Sequence, residues 1–261
     1  MCRWIAYRGE SIPLEHYVTA PAHSLVEQSI RALESTAATN GDGFGLGWYG
    51  EHPEPGLYRE VRPAWSDENL RYLCRHIRSH LFFGHVRAAT ATPTTRPNCH
   101  PFVCGRWMFM HNGEVGNWAR VRRKVEALIP DEFYPSRIGT TDSEAVFLAI
   151  LGAGVERDPV GATLRTLATL AEMGRANKEP LRFTSALTDG RNLYAFRFSA
   201  NDKSNSLYYR VSGPDLLIAS EPLDDNREVW NPVPTNHMLV ARAGAAIELS
   251  PIDLAVRIAA E

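Results

Sequence analysis

Arg182-Phe183-Thr184-Ser185-Ala186-Leu187-Thr188-Asp189-Gly190-Arg191-Asn192-Leu193-Tyr194-Ala195-Phe196-Arg197-Phe198 reads as two strands joined by a tight turn. Residues 182–188 and 192–198 are rich in aromatic and strand-forming residues, and an Asp-Gly step between such runs is a strong hairpin signal. The residues before this hairpin are helical in character. Thr141-Asp142-Ser143-Glu144 has capping-box spacing ahead of the apolar run Ala145–Leu151, and a further helix is predicted over about 160–173.

Upstream, residues 3–8 read as a strand followed by loop through Pro21, and a helix is predicted over 23–37. The glycine-studded run Asn40–Tyr49 enters a strand. Ser66-Asp67-Glu68 predicts a helix through about Ser79, with Ser66 as N-cap. Leu81–Val86 reads as a buried strand, and Arg106–Met110 as another that stops at His111-Asn112-Gly113, a turn signal. Beyond the hairpin, strands are expected at 207–211, 215–219, 237–243 and 246–249. Strands, then helices, then strands indicate an α+β fold rather than repeated βαβ units. No internal repeat or linker divides the chain, so residues 1–261 are expected to form a single domain.

Composition narrows the function. A net charge of −2 leaves no basic footprint for nucleic acid or anionic membranes. No apolar run approaches the ~18 residues of a membrane helix, and charges at Arg3, Arg8, Glu10 and Glu15 break any leader pattern. The cytoplasm is therefore the expected location. Gly45-Leu46-Gly47-Trp48-Tyr49-Gly50 fits the dinucleotide pattern G-x-G-x-x-G, yet Glu51-His52-Pro53 cannot open the helix that pattern requires. Those glycines are expected to allow close backbone approach within a sheet. Cys99-His100, Cys104 and Cys74-Arg75-His76 lack the paired spacing of a zinc site. No metal and no cofactor is expected.

The residues that carry chemistry are scattered. Cys2 follows Met1; trimming of the methionine would leave a cysteine with a free α-amine, a nucleophile and a base in one residue. Arg87 ends an apolar strand, where a guanidinium can clamp a carboxylate through two parallel hydrogen bonds. Asn112-Gly113 is either a plain turn or a side-chain amide and main-chain N–H pair for an oxyanion. Asp142 either favours a helix dipole or binds an ammonium. Together they would handle an α-amino acid bearing a side-chain amide.

With these motifs in order, the sequence resembles the class II glutamine amidotransferases, of the N-terminal-nucleophile hydrolase superfamily. The shared segments are Met1-Cys2, Asn40-Gly41-Asp42-Gly43-Phe44-Gly45, Gly84-His85-Val86-Arg87-Ala88-Ala89-Thr90, Asn98-Cys99-His100-Pro101-Phe102, His111-Asn112-Gly113-Glu114, Thr140-Thr141-Asp142-Ser143-Glu144 and Ala219-Ser220-Glu221-Pro222-Leu223. The resemblance implies a four-layer αββα sandwich of two antiparallel sheets. It implies Cys2 as nucleophile with its α-amine as base, Asn112 and Gly113 as oxyanion hole, and Arg87 and Asp142 as binders of the α-carboxylate and α-ammonium. Ala88 and His111, beside those groups, are expected to contact substrate, and the Asn40–Gly45 run to support the site.

Synthase-fused members of the family usually carry tryptophan after the clamp arginine; Ala88 stands there here, and the chain is closer in resemblance to stand-alone YafJ-like and EgtC-like members. The expected activity is thus hydrolysis of a small γ-glutamyl substrate through a thioester, releasing glutamate and an amine. The alternative is a glutaminase subunit passing ammonia to a separate synthase partner. Homo-oligomerisation is left open. A non-catalytic scaffold and a nucleotide-binding oxidoreductase rank below both.

Overall fold

Strand periodicity builds this molecule. In the first strand, Trp4 and Ala6 point to one face and Ile5 and Tyr7 to the other, and all four are completely buried. A strand buried on both faces must lie inside a layered structure. The computed structural model describes residues 2–34, 39–89, 92–176 and 178–254.

The first half of the chain comprises β1 (Arg3–Pro13), α1 (Glu15–Val18), α2 (Leu25–Ile30), β2 (Phe44–Trp48), β3 (Gly56–Glu60), α3 (Glu68–His76), β4 (Arg78–Val86), β5 (Phe102–Cys104) and β6 (Trp107–Glu114). It continues with α4 (Trp118–Glu126), α5 (Asp142–Gly152), α6 (Pro159–Ala176), β7 (Arg182–Thr188), β8 (Leu193–Ser199), β9 (Tyr208–Ser212), β10 (Asp215–Ala219), β11 (Asn231–Pro232), β12 (His237–Ala241) and β13 (Glu248–Pro251). One sheet has the order β11-β9-β10-β1-β4-β2-β3 and the other β13-β12-β8-β7-β6-β5. The pairings described in both are antiparallel.

Three buried clusters separate four layers. Trp4, Ala6, Leu81, Phe83, Met108, Met110, Ala186 and Ile218 fill the space between the sheets. Ile5, Tyr7, Phe82 and Leu217 face α1–α3 across the outside of the first sheet. Phe109, Phe183 and Phe196 face α4–α6 across the outside of the second. This is the αββα sandwich expected from the resemblance. Helix α5 lies deepest among the helices: Ser143 to Leu151 are all buried, which is why its sequence is apolar all round. Among the described residues no helix is long and apolar enough to cross a membrane.

Several local expectations are corrected. The helix predicted over 23–37 is only α2, because Arg31 turns extended at φ −148°, ψ 104°; residues 35–38 lie outside the described part. The N-cap of α3 is Asp67, whose carboxylate accepts from Leu70 N at 3.0 Å, rather than Ser66. Asn112-Gly113 is not a turn: β6 runs through to Glu114, paired with β7. A ladder partner on each residue overrides the local turn propensity. Short α1, β3, β5 and β11 carry too little periodicity to be read from sequence; α4, with Val121 and Val125 buried on one face, opens on Asn117 in the left-handed region, φ 57°, without a side-chain cap to mark its start. In the hairpin, Gly190 takes φ +88° while Asp189 Oδ1 accepts from Arg191 N and Asn192 N at 2.9 and 2.7 Å.

The G-x-G-x-x-G run lies in and just after β2, where the chain passes close to other backbone. A Cβ on Gly45 would collide with the His100 carbonyl oxygen, and one on Gly47 with the Met108 sulfur. Gly50 is exposed, with open space where its Cβ would stand. Gly45→Ala is expected to destabilise by about 1–3 kcal/mol and Gly50→Ala by no more than about 0.5 kcal/mol. Urea midpoints of the two variants check this, and equal midpoints would refute the close-approach role.

Candidate active site

The alternation that fills the inter-sheet layer also aims the polar groups at its end. Cys2 continues the Trp4 and Ala6 face of β1, and Asn112 continues the Met108 and Met110 face of β6. Both side chains therefore enter the space between the sheets where it opens to solvent. The cleft there has a volume of about 130 Å³ and opens to solvent. Cys2, Arg87, Ala88, His111, Asn112, Gly113 and Asp142 all line it, so residues up to 140 positions apart in sequence share one wall.

The Cys2 thiol receives a hydrogen bond from Ala88 N at 3.4 Å and lies 3.6 Å from Ala88 O. Burial pushes the thiol above its ordinary value, against the pull of the Ala88 N–H and of the Arg87 and Arg3 cations. A thiol so placed needs a base beside it to ionise near neutrality. Asn112 Nδ2 donates to the Cys2 carbonyl at 2.9 Å, and Asn205 Nδ2 donates to the Asn112 carbonyl at 2.9 Å.

Arg87 is held from behind by the Asn40–Gly45 run, as a support would be. Its N–H donates to Gly43 O at 2.9 Å and its Nη1 to Asp42 O at 3.3 Å, while Asp42 Oδ2 accepts from Ala89 N at 2.8 Å. On the other side Arg87 Nη2 donates to Thr92 Oγ1 at 2.7 Å. Gly43 must be glycine: it sits at φ +104°, with Glu60 O 2.8 Å from where a Cβ would be.

Asp142 opens α5, where Thr141 is the N-cap and accepts from Glu144 N at 3.2 Å. The capping box is only half made, because the Glu144 carboxylate turns to Gly139 N, Ile138 N and Arg137 instead. Asp142 Oδ1 accepts from Ser143 N at 2.8 Å and Oδ2 from Val115 N at 2.9 Å. Ser143 Oγ also lies 3.3 Å from Oδ1, so Oδ2 is the oxygen with a lone pair to spare for a cation. His111 lies on the helix-facing side of β6. Its Nε2 donates to Arg182 O at 3.3 Å, and its Nδ1 lies 2.9 Å from Ser143 Oγ, a hydroxyl that also faces Asp142 Oδ1.

Three cleft-lining residues carry no sequence signal of their own: Thr92, Ser143 and Asn205. Asn205 belongs to a polar loop between β8 and β9, and only the fold brings it to Asn112. His100 also lines the cleft and stacks on His85 with ring centroids 4.2 Å apart. Cys99 is buried and Cys104 half-buried; their thiols meet Thr95 O and Ser136 Oγ. Among the described residues no group of three or more His, Cys, Asp or Glu side chains is placed to hold a metal ion.

Two stacked antiparallel sheets between helix layers, with a cysteine leading a central strand into an inter-sheet cleft, define an N-terminal-nucleophile hydrolase fold. Residues 18–211 match the family model for class-II glutamine amidotransferases. A probable glutamine amidotransferase of Saccharomyces cerevisiae, DUG3, is 33% identical over 97% of this chain and 84% of its own length. The gamma-glutamyl-hercynylcysteine sulfoxide hydrolase of Mycolicibacterium smegmatis is 27% identical over 97% of this chain and all of its own. A solved glutamine aminotransferase class-II domain protein from Silicibacter pomeroyi superposes with a TM-score of 0.76 at 37% identity, covering 97% of this chain and 100% of that one. The chain belongs to the class II glutamine amidotransferases and is an amidohydrolase of that family's type.

The buried histidines make stability depend on pH. Burial, with Arg87 and His111 nearby, lowers His85 to about 3. Burial and His85 push His100 well below its ordinary value, and burial lowers His111 against the pull of Asp142. Each binds its proton more weakly folded than unfolded. Their contribution is thus complete above about pH 6.5 and is lost as pH falls from there toward about 3, at up to about 1.4 kcal/mol per pH unit per histidine. Calorimetry between pH 7.5 and 5, above most carboxylate titration, should show a falling Tm with proton uptake on unfolding; a flat Tm over that range would contradict it.

Proposed function

We propose that this protein hydrolyses a small γ-glutamyl amide through a thioester on Cys2. The observation that carries the reading is the Cys2 thiol sharing one cleft with a guanidinium, a carboxylate and an amide donor, each backed by its own hydrogen bonds. In this reading Met1, which lies outside the described residues, is removed. The Cys2 α-amine takes the thiol proton as Sγ attacks the γ-carbonyl carbon. The carbonyl oxygen becomes an oxyanion facing Asn112 Nδ2 and the Gly113 N–H. As the C–N bond breaks, the ammonium returns its proton to the leaving nitrogen. Water then attacks the thioester, the amine accepting its proton and passing it to the departing sulfur, and glutamate leaves.

Arg87 would pair with the α-carboxylate and Asp142 with the α-ammonium, while Ala88 and His111 form walls of the site. Small Ala88 beside the clamp leaves room for an extended leaving group. The relative that acts on a γ-glutamyl-hercynylcysteine sulfoxide supports a γ-glutamyl conjugate over glutamine itself. The other relative, described as an amidotransferase, keeps in view a glutaminase that hands ammonia to a synthase. We place the activity in the cytoplasm, in a chain folded as a single domain.

A panel of γ-glutamyl amides including glutamine, scored by glutamate release, tests the reading. An extended conjugate should be preferred without any added partner; strong preference for glutamine, dependent on a partner, would favour the ammonia-delivering role. Cys2→Ala should abolish turnover and retain ligand-induced thermal stabilisation. Asn112→Ala should lower kcat by about 10²–10³, and Arg87→Ala should weaken kcat/KM by about 1.5–3 kcal/mol. Retention of Met1 in fully active protein, seen by intact mass, would sink the amine-as-base mechanism.

A further inference from the structure

Behind the nucleophile lies a buried charged cluster that the proposed chemistry does not use. Arg3 follows Cys2, so strand alternation turns its side chain out of the cleft and into the layer of α1–α3. There its Nε lies 3.1 Å from Glu221 Oε2, an ion pair outside hydrogen-bond geometry with both side chains fully buried. Glu221 is anchored by other partners: Leu33 N at 2.7 Å, Glu34 N at 3.0 Å and His23 Nε2 at 2.5 Å. Glu34, the next acid toward Arg3, is itself engaged by Tyr208 and Arg227. Buried Gln28 ties the cluster together, its Nε2 donating to His23 O at 3.1 Å and Glu221 O at 3.4 Å.

A buried ion pair is weak evidence of a stabilising role, because desolvation offsets its attraction. Glu221 has a structural task in ordering residues 33–34. Arg3 has none so evident, yet its Nη1 reaches the Cys2 carbonyl at 3.3 Å. That is the same oxygen that Asn112 Nδ2 meets at 2.9 Å from the opposite sheet. Cys2 needs such a grip. The β1 ladder begins at Arg3, paired with Val86, so Cys2 has no strand pairing. Once freed of Met1 it would hang from one peptide bond, its ψ and χ1 unrestrained by a preceding residue.

We propose that the Arg3–Glu221 pair is a positioning device for the nucleophile. Glu221 aims the Arg3 guanidinium, and Arg3 with Asn112 holds the Cys2 carbonyl from two sides so that the thiol faces the cleft. The inference rests on Cys2 being the nucleophile, and it adds a pair of residues outside the cleft to the machinery.

The test is the double variant Arg3→Met with Glu221→Gln. It removes both charges together, leaves no buried charge unpaired, and keeps one acceptor oxygen for Leu33 N or Glu34 N, which bond to different oxygens of Glu221. With the γ-glutamyl amide turned over best by the wild type, kcat should fall about tenfold or more. KM should stay within about twofold, since Arg87 and Asp142 are untouched. Arg3→Lys, which retains the charge opposite Glu221 and loses the guanidinium fork, should give an intermediate kcat at unchanged KM, and it stands in if the double variant fails to fold. A folded variant with wild-type kcat, or one that raises KM alone, overturns the proposal. Wild-type protein lacking Met1 that releases glutamate from none of the amides takes both readings down; an active wild type beside an unaffected variant removes only this one.

Discussion

The hydrogen bond from Asn112 Nδ2 to the Cys2 carbonyl joins the two sheets at the cleft, where their inner faces open to solvent. Everything around the cleft depends on that junction. Deeper between the sheets the contact is largely apolar, through side chains such as Trp4, Phe83 and Met110, with Tyr49 Oη donating to Arg106 O at 2.6 Å farther from the cleft. At the cleft an apolar contact would leave polar main chain unpaired, so direction must come from hydrogen bonds. Asn112 supplies it, and Asn205 fixes Asn112 in turn. The proposed oxyanion donor is thus committed in this structure to the nucleophile's own main chain. A substrate carbonyl would have to share or displace that bond.

The layers explain why the site is assembled from distant sequence. A strand offers side chains to two faces in strict alternation. Cys2 and Arg3 are neighbours that live in different layers, one in the cleft and one under the helices. The same rule places Asn112 inward and His111 outward, against Ser143 of α5. A one-residue slip in β1 or β6 would exchange these assignments. The ladders Ile5↔Gly84 and Asn112↔Thr184 guard against that slip.

How much of this was legible depended on how local each signal is. The Asp189-Gly190 hairpin, the Thr141 cap and the buried strand 81–86 are written in consecutive residues, and each appears where expected. The gathering of Cys2, Arg87, Asn112 and Asp142 was foreseeable only through resemblance, because no spacing in a single chain predicts it. Asn112-Gly113 misled for a physical reason: a pair favourable for turns is overruled when the strand continues in register with β7, Asn112 opposite Thr184 and Gly113 opposite Phe183. Asn205 and Arg3 were invisible because an asparagine in a polar loop and an arginine in a strand both have ordinary surface explanations. Burial alone distinguishes them, and burial is a property of the assembled layers.

The polar groups at the junction also explain why the surrounding core is built as it is. His85 and His100 place four ring nitrogens in the interior without a hydrogen-bond partner among the described residues. Each such nitrogen costs free energy unless water or ligand reaches it. That cost is tolerable only beside a large, well-filled apolar layer, which the aromatic and aliphatic inner faces of β1, β4, β6 and β8 provide. Keeping both imidazoles neutral also avoids adding positive charge next to Arg87. The uncharged histidine stack follows from burial without any further device.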